Sequence, residues 1–228
     1  MDIKDNLYSV LNDFGKESIQ IEFQNDINSS IPKIKEILKK TIESIYLKKP
    51  NGVNVHDFNV NKKPLSSLCE AFLHFLLTTS SLPSQRKIML REIEIDLVIP
   101  DIKTFHKDPE KAIIIKFDKD SSTLEYIKRL NVLQPNTANI WIVSSTPVTH
   151  YHRNYIIYMN KEEEYSHQLF GNKNENNENY YNDYNNNDSK HNRKKINPNY
   201  VPFNEIIVHI DKFLNDTKHK GFKFLPML

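Results

Sequence analysis

Four glycines in 228 residues cannot build a Gly-rich phosphate loop, and neither a GxGxxG nor a P-loop pattern occurs. With 31 Lys and Arg against 29 Asp and Glu, the formal charge of +2 is far from the basic excess of a dedicated nucleic-acid coat. The single cysteine, Cys69, excludes an internal disulfide and any multi-cysteine zinc site, and its apolar helical surroundings read as packing.

The N-terminal Met1-Asp2-Ile3-Lys4-Asp5 is charged, unlike a secretory leader, and acidic where a presequence would be Arg-rich. No run approaches the ~18 apolar residues of a membrane span. The expectation is an intracellular protein, nuclear or cytoplasmic, with no membrane partner.

Residues 1–50 read as a helical region packed on a core. Leu7, Val10, Leu11 and Phe14 line one side of a short helix. Ser30 reads as an N-cap, with Pro32 tolerated in the first turn. Ile31, Ile34, Ile37, Leu38, Ile42, Ile45 and Tyr46 then recur at helical spacing with lysines outside. A loop is expected over 48–63, where Pro50-Asn51-Gly52 signals a turn. After Pro64, Leu65, Leu68, Phe72, Phe75 and Leu76 form one stripe of a helix ending near Ser80-Ser81.

The period then changes. Arg91 to Ile99 alternates first and becomes wholly apolar, as in a strand entering the interior, and Pro100-Asp101 closes it. Ala112 to Phe117 reads as an interior strand. Ser121-Ser122 caps a helix with Leu124, Ile127, Leu130 and Leu133, and Asn139 to Val143 is a further buried strand. A helix between two buried strands predicts a right-handed crossover with parallel pairing. Tyr155 to Met159 is expected as an edge strand. Together, 64–160 reads as an α/β core. Residues 171–197 are Asn-rich and almost without aliphatic residues, the signature of a disordered insertion. Over 198–228, an amphipathic helix from Pro202 to Thr217 and an apolar tail at Phe222, Phe224 and Leu225 are expected to dock on the core.

One constellation points to chemistry. Side chains alternate along a strand, so Glu92, Glu94 and Asp96 share one side, as do Ile114, Lys116 and Asp118 on the next strand. If the two strands pair with polar sides matched, Asp96 and Lys116 become neighbours. Carboxylates beside a lysine suit a hard divalent ion, which polarises a phosphodiester and lowers the pKa of a bound water. Arg86, Lys87, Arg91 and Lys103 flank the site and suit phosphate contacts. His150 and His152 form an HxH pair with no third ligand and read as surface histidines.

In this order of elements the chain resembles the restriction-endonuclease-like, or PD-(D/E)xK, superfamily, with a weaker similarity to RAP-type modules. Asp96 matches the motif aspartate and Lys116 the motif lysine; Glu70 is the helix candidate for a second acid. The literal Pro100-Asp101 lies past its strand. Ile114 stands where (D/E)xK has an acid, leaving Glu94 or Asp118 as a migrated carboxylate. Glu70, with His74, projects away from the apolar stripe of its helix, toward solvent or toward the site.

The resemblance implies an α/β fold with a small mixed sheet flanked by helices, a restriction-endonuclease-like core with an N-terminal helical extension. It implies a site of Asp96, Lys116, Glu94 and Glu70, with Asp96 and Glu94 holding Mg²⁺. RNA or DNA is the implied partner and phosphodiester hydrolysis the implied reaction. The alternative is a non-catalytic subunit of an intracellular complex, docking through the 31–46 helix or the 222–225 tail.

Overall fold

The computed structural model of the chain describes residues 3–46, 62–119, 123–146, 148, 152–157 and 200–217. Outside the described residues lie nearly all of the expected loop at 48–63, Ser121-Ser122, His150, the 171–197 insertion and the 222–225 tail.

Three helices come first: α1 (Ile3–Asp13), α2 (Lys16–Asn25) and α3 (Ile31–Tyr46). Gly15, at φ 77, makes the sharp turn that ends α1 and starts α2. Ser30 stands at the N-terminal boundary of α3, its carbonyl accepting from the Ile34 amide while its hydroxyl donates back to the Asp26 carbonyl. Ile34, Ile37, Leu38 and Ile42 are buried in the chain's own core. The stripe expected to offer a docking surface is therefore already covered by α1 and its neighbours.

Helix α4 (Lys62–Thr79) is the central helix of the molecule. Besides the expected Leu65, Leu68, Phe72 and Leu76, residues Cys69, Leu73 and Leu77 are also fully buried. Each such Leu or Phe contributes about 1.5–3 kcal/mol of transfer free energy. The helix has little solvent face, because the N-terminal helices cover one side of it and the sheet the other. Burial lifts the Cys69 thiol well above its ordinary value, as expected of a packing residue.

The remaining elements are β1 (Gln85–Leu90), β2 (Ile93–Ile99), α5 (Ile102–Lys107), β3 (Ile113–Phe117), α6 (Thr123–Leu133), β4 (Ile140–Ser144), β5 (Arg153–Ile156), β6 (Tyr200–Pro202) and α7 (Ile206–Asp216). The strands form one six-stranded sheet in sequence order. β1–β2 and β2–β3 are antiparallel, whereas β3–β4, β4–β5 and β5–β6 are parallel. The α6 crossover between β3 and β4 thus gives the parallel pair the pattern predicts.

Two apolar layers cover the sheet. One joins α1–α4 and α7 to Leu97, Ile115, Trp141 and Tyr155; the other joins α5 and α6 to Val98, Ile114 and Ile140. The expected edge strand at Tyr155 to Met159 is corrected on two counts. It spans Arg153–Ile156, and it is interior, because Tyr155 pairs with Val143 on one side and Val201 on the other. The covering strand β6 is only Tyr200-Val201-Pro202, too short to show alternation in the sequence.

Candidate functional site

The β2–β3 ladder runs from Ile99↔Ile113 to Leu97↔Ile115 and stops there. At the next step the Phe117 amide donates to Asp96 Oδ2 at 3.1 Å, so a side chain takes over from the backbone acceptor. The Asp118 amide donates to Val143 O on β4. The strands therefore fork at Asp96 and Lys116. Lys116 Nζ lies 3.0 Å from Asp96 Oδ2, and the Asp96 side chain is only 3% exposed. The polar sides match as expected. Lys116 also sits 4.0 Å above the ring of Tyr126 on α6, whose buried hydroxyl has no hydrogen-bond partner among the described residues.

β1 closes the fork from the other side. Lys87 lies opposite Asp96, between the pairs Arg86↔Leu97 and Ile88↔Ile95, and its φ is 52. In a regular pleat, consecutive residues point to opposite faces. Here Arg86 and Lys87 both reach Glu70 Oε1, at 2.9 and 3.2 Å, because the left-handed backbone at Lys87 breaks the alternation. β2 breaks at the same level: Ile95 packs with Val98 and Ile114, while Leu97 packs in the opposite layer. This step is what brings two cations of β1 onto the acids.

Glu70 is buried although His74, one turn further along the same face of α4, is exposed, because Arg86 and Lys87 of β1 and Lys119 after β3 close over its carboxylate. Lys119 follows the end of β3 and reaches Glu70 Oε2 at 2.6 Å and Asp96 Oδ1 at 3.4 Å. Lys87 likewise touches Asp96 Oδ1 at 3.0 Å and exposed Glu94 at 3.4 Å. Burial alone would raise the Asp96 carboxyl, but Lys116 and Lys119, then the Phe117 amide and Lys87, hold it below its ordinary value. Glu70 behaves the same way: burial is outweighed by Lys119 and Arg86. Burial opposes the charge on Lys87, yet Asp96 and Glu70 raise its pKa above the usual lysine value. Burial, then Asp96 and Glu94, pushes the Tyr126 phenol up, so it stays a proton donor.

Of the residues singled out in the sequence, Asp96, Lys116, Glu70, Glu94, Arg86 and Lys87 converge. Arg91 and Lys103 are exposed and pair with neither Glu70 nor Asp96; Arg91 is in the β1–β2 turn and Lys103 on α5. Glu92, expected on the strand, stands in that turn at φ 63. Asp101 caps α5, accepting from the Thr104 amide at 2.7 Å, which is the ordinary role of an Asp before a helix. Ile114 is fully buried in the α5–α6 layer. His152, expected at the surface, is buried and lies 2.8 Å from Asn131 Oδ1.

Sequence reasoning misses Lys119 and Tyr126. Lys119 carries one signal, a charged pair with Asp118 just where an apolar strand ends. Tyr126 falls at helical spacing with Leu130 and Leu133 and packs in their layer, so in the sequence it reads as one more packing residue of α6.

A divalent ion needs oxygen ligands that converge. Among the described residues no group of three or more His, Cys, Asp or Glu side chains is arranged to hold a metal. Two carboxylates do converge, however. The Lys87 ammonium stands between Asp96 Oδ1 and Glu70 Oε1, and Lys119 between Asp96 Oδ1 and Glu70 Oε2. Each ammonium is a cation held by both acids, so the pair brackets a cation position. Two carboxylates, completed by water and phosphate oxygens, suffice for Mg²⁺.

No family profile matches the chain, and no curated protein does. Solved structures do. The chain is similar to the restriction endonuclease PspGI in complex with substrate DNA, with a TM-score of 0.58 and 14% identity over 95% of this chain and 94% of that one. It is also similar to metal-depleted Ecl18kI in complex with uncleaved, modified DNA, with a TM-score of 0.52 and 11% identity over 99% of this chain and 82% of that one. The fold is restriction-endonuclease-like.

Proposed function

We propose that the chain binds DNA at the β2–β3 fork and hydrolyses a phosphodiester there with Mg²⁺. The observation that carries this reading is the bracketed cation position between Glu70 and Asp96, with Lys116 3.0 Å from the same aspartate. Both similar structures being DNA complexes favours DNA as the polymer. Glu70 and Asp96 would hold the ion, which supplies Lewis acidity toward the phosphate and an acidified water.

The chain's own groups do the rest. The Phe117 amide and Lys116 fix the orientation of Asp96. Tyr126, its ring beneath Lys116, fixes the ammonium in turn, which offsets charge developing on the phosphate. Arg86, Lys87 and Lys119 are all partly exposed and long enough to leave the carboxylates for phosphate oxygens, giving binding that weakens steeply with salt.

The test is cleavage of duplex DNA with and without Mg²⁺ by the full chain, Asp96→Asn and Lys116→Met. Cleavage that needs Mg²⁺ and vanishes in both variants is expected. Cleavage unchanged in both variants places the chemistry elsewhere.

A further inference from the structure

A second concave site lies beyond the fork, on the other side of Arg86. It is a cavity of about 410 Å³ between α1, α2, α4 and the start of β1, within the range of small-molecule pockets. Lys4, Lys16 and Arg86 line it and, among the described residues, no carboxylate does, although the chain as a whole carries nearly equal numbers of acids and bases. Such one-signed lining focuses a positive potential into the concavity. Its floor is apolar, made by Leu7, Ala71 and Phe75. At the rim Tyr8 is 53% exposed with Lys16 Nζ 5.9 Å from its ring centroid, an aromatic face set beside a cation. His74 adds a ring that burial, then Arg86, keeps toward the neutral form.

Cations at the wall call for an anion, and an apolar floor with aromatic edges calls for a flat ring. We infer that this cavity is a binding site for a small phosphorylated molecule bearing a planar ring, of the mononucleotide class. The phosphate would be taken by Lys4 and Lys16 and the ring would lie on Leu7 and Phe75 beside Tyr8. Binding here does not depend on hydrolysis at the fork. Arg86 belongs to both places, since its guanidinium also holds Glu70 at 2.9 Å. For that reason the test leaves Arg86 intact.

The experiment is calorimetric titration of the full chain, without divalent ions, with a nucleoside 5′-monophosphate, its parent nucleoside and inorganic phosphate. The monophosphate is expected to bind about tenfold or more tightly than either fragment, because only it engages both wall and floor. Lys4→Glu and Lys16→Glu, both substitutions at the cavity's lysines, are expected to weaken it about tenfold each through loss of a charge-assisted bond. Asp96→Asn should bind it as the unaltered chain does. The inference is overturned by no saturable binding of the monophosphate, by equal binding of inorganic phosphate, or by affinity untouched by both lysine reversals. Loss of binding in Asp96→Asn alone would place the nucleotide at the fork and also end the claim of a second site.

Discussion

The two limbs of the sheet are built differently. The parallel limb, β3 to β5, is buried almost without interruption: Ile113, Ile114, Ile115, Ile140, Ile142, Val143, Tyr155 and Ile156 are inaccessible. The antiparallel limb carries its polar residues and all its backbone exceptions within a few steps. Lys87, Arg91 and Glu92 have positive φ, and β1 is mostly exposed. One limb is a scaffold, and the other bends cations toward carboxylates that the scaffold's edge holds in place. Asp96 and Lys116 stand at the seam between them. The candidate site gathers where regular pairing stops, because there backbone donors and buried charges need side-chain partners.

The sharpest way to break the comparison is to cut each limb. Ile142→Ala, in the centre of the parallel limb, should cost about 2–5 kcal/mol of stability. Met89→Ala on β1, where the side chain is 64% exposed, should stay within about 0.5 kcal/mol. Urea unfolding measures both, and equal costs would mean that the two limbs are not distinct in energy.

At the seam, Asp96→Asn removes the charge that Lys87, Lys116 and Lys119 share and leaves one acceptor oxygen where two served them and the Phe117 amide, and should cost about 1–3 kcal/mol. Its pH dependence has a definite sign. Asp96 and Glu70 ionise below their unfolded values, so their contribution is fully present above the unfolded carboxyl range of about 4 and is lost as pH falls through the folded values. Asp96→Asn should therefore lose less stability on acidification than the unaltered chain. An acid limb of the same steepness in both would show that the Asp96 carboxyl is not held as the geometry requires.

How much of this could be read from the sequence follows the same division. The parallel limb announces itself, since Ile113 to Phe117 and Ile140 to Val143 are continuous apolar runs around a helix. So does the pair Asp96 and Lys116, by alternation. β1 does not: Gln85-Arg86-Lys87 is polar and exposed, so the edge strand has no periodic signature. Neither does the burial of Glu70, because the cations that cover it come from β1 and from the residues after β3, which no projection of its own helix contains. The hidden part is what the fold adds: a broken pleat at Lys87 that turns two neighbouring cations toward one oxygen.

A smaller effect tests the bracketed cation position itself. Lys119→Met removes one ammonium from between the acids while keeping most of the stem, so a divalent ion meets less competition there. Mn²⁺ affinity, followed by calorimetry without DNA, should rise severalfold, to about tenfold at most. Unchanged affinity would mean that the two carboxylates do not share a cation site.

The smallest expected effect concerns the hairpin tip. Leu90 pairs with Ile93, leaving Arg91-Glu92 as a two-residue turn with φ 46 and 63, the positive signs that a type I′ turn demands. Asn-Gly is the usual solution, and a Cβ at the second position is strained against the backbone. Glu92→Gly keeps Arg91 and relieves that strain, although glycine also enlarges the unfolded ensemble. The balance should be a gain of roughly 0.5–1 kcal/mol in urea unfolding, with DNA binding unchanged because Glu92 touches neither Glu70 nor Asp96. A loss of stability would show that the tip is held by contacts of the Glu92 side chain.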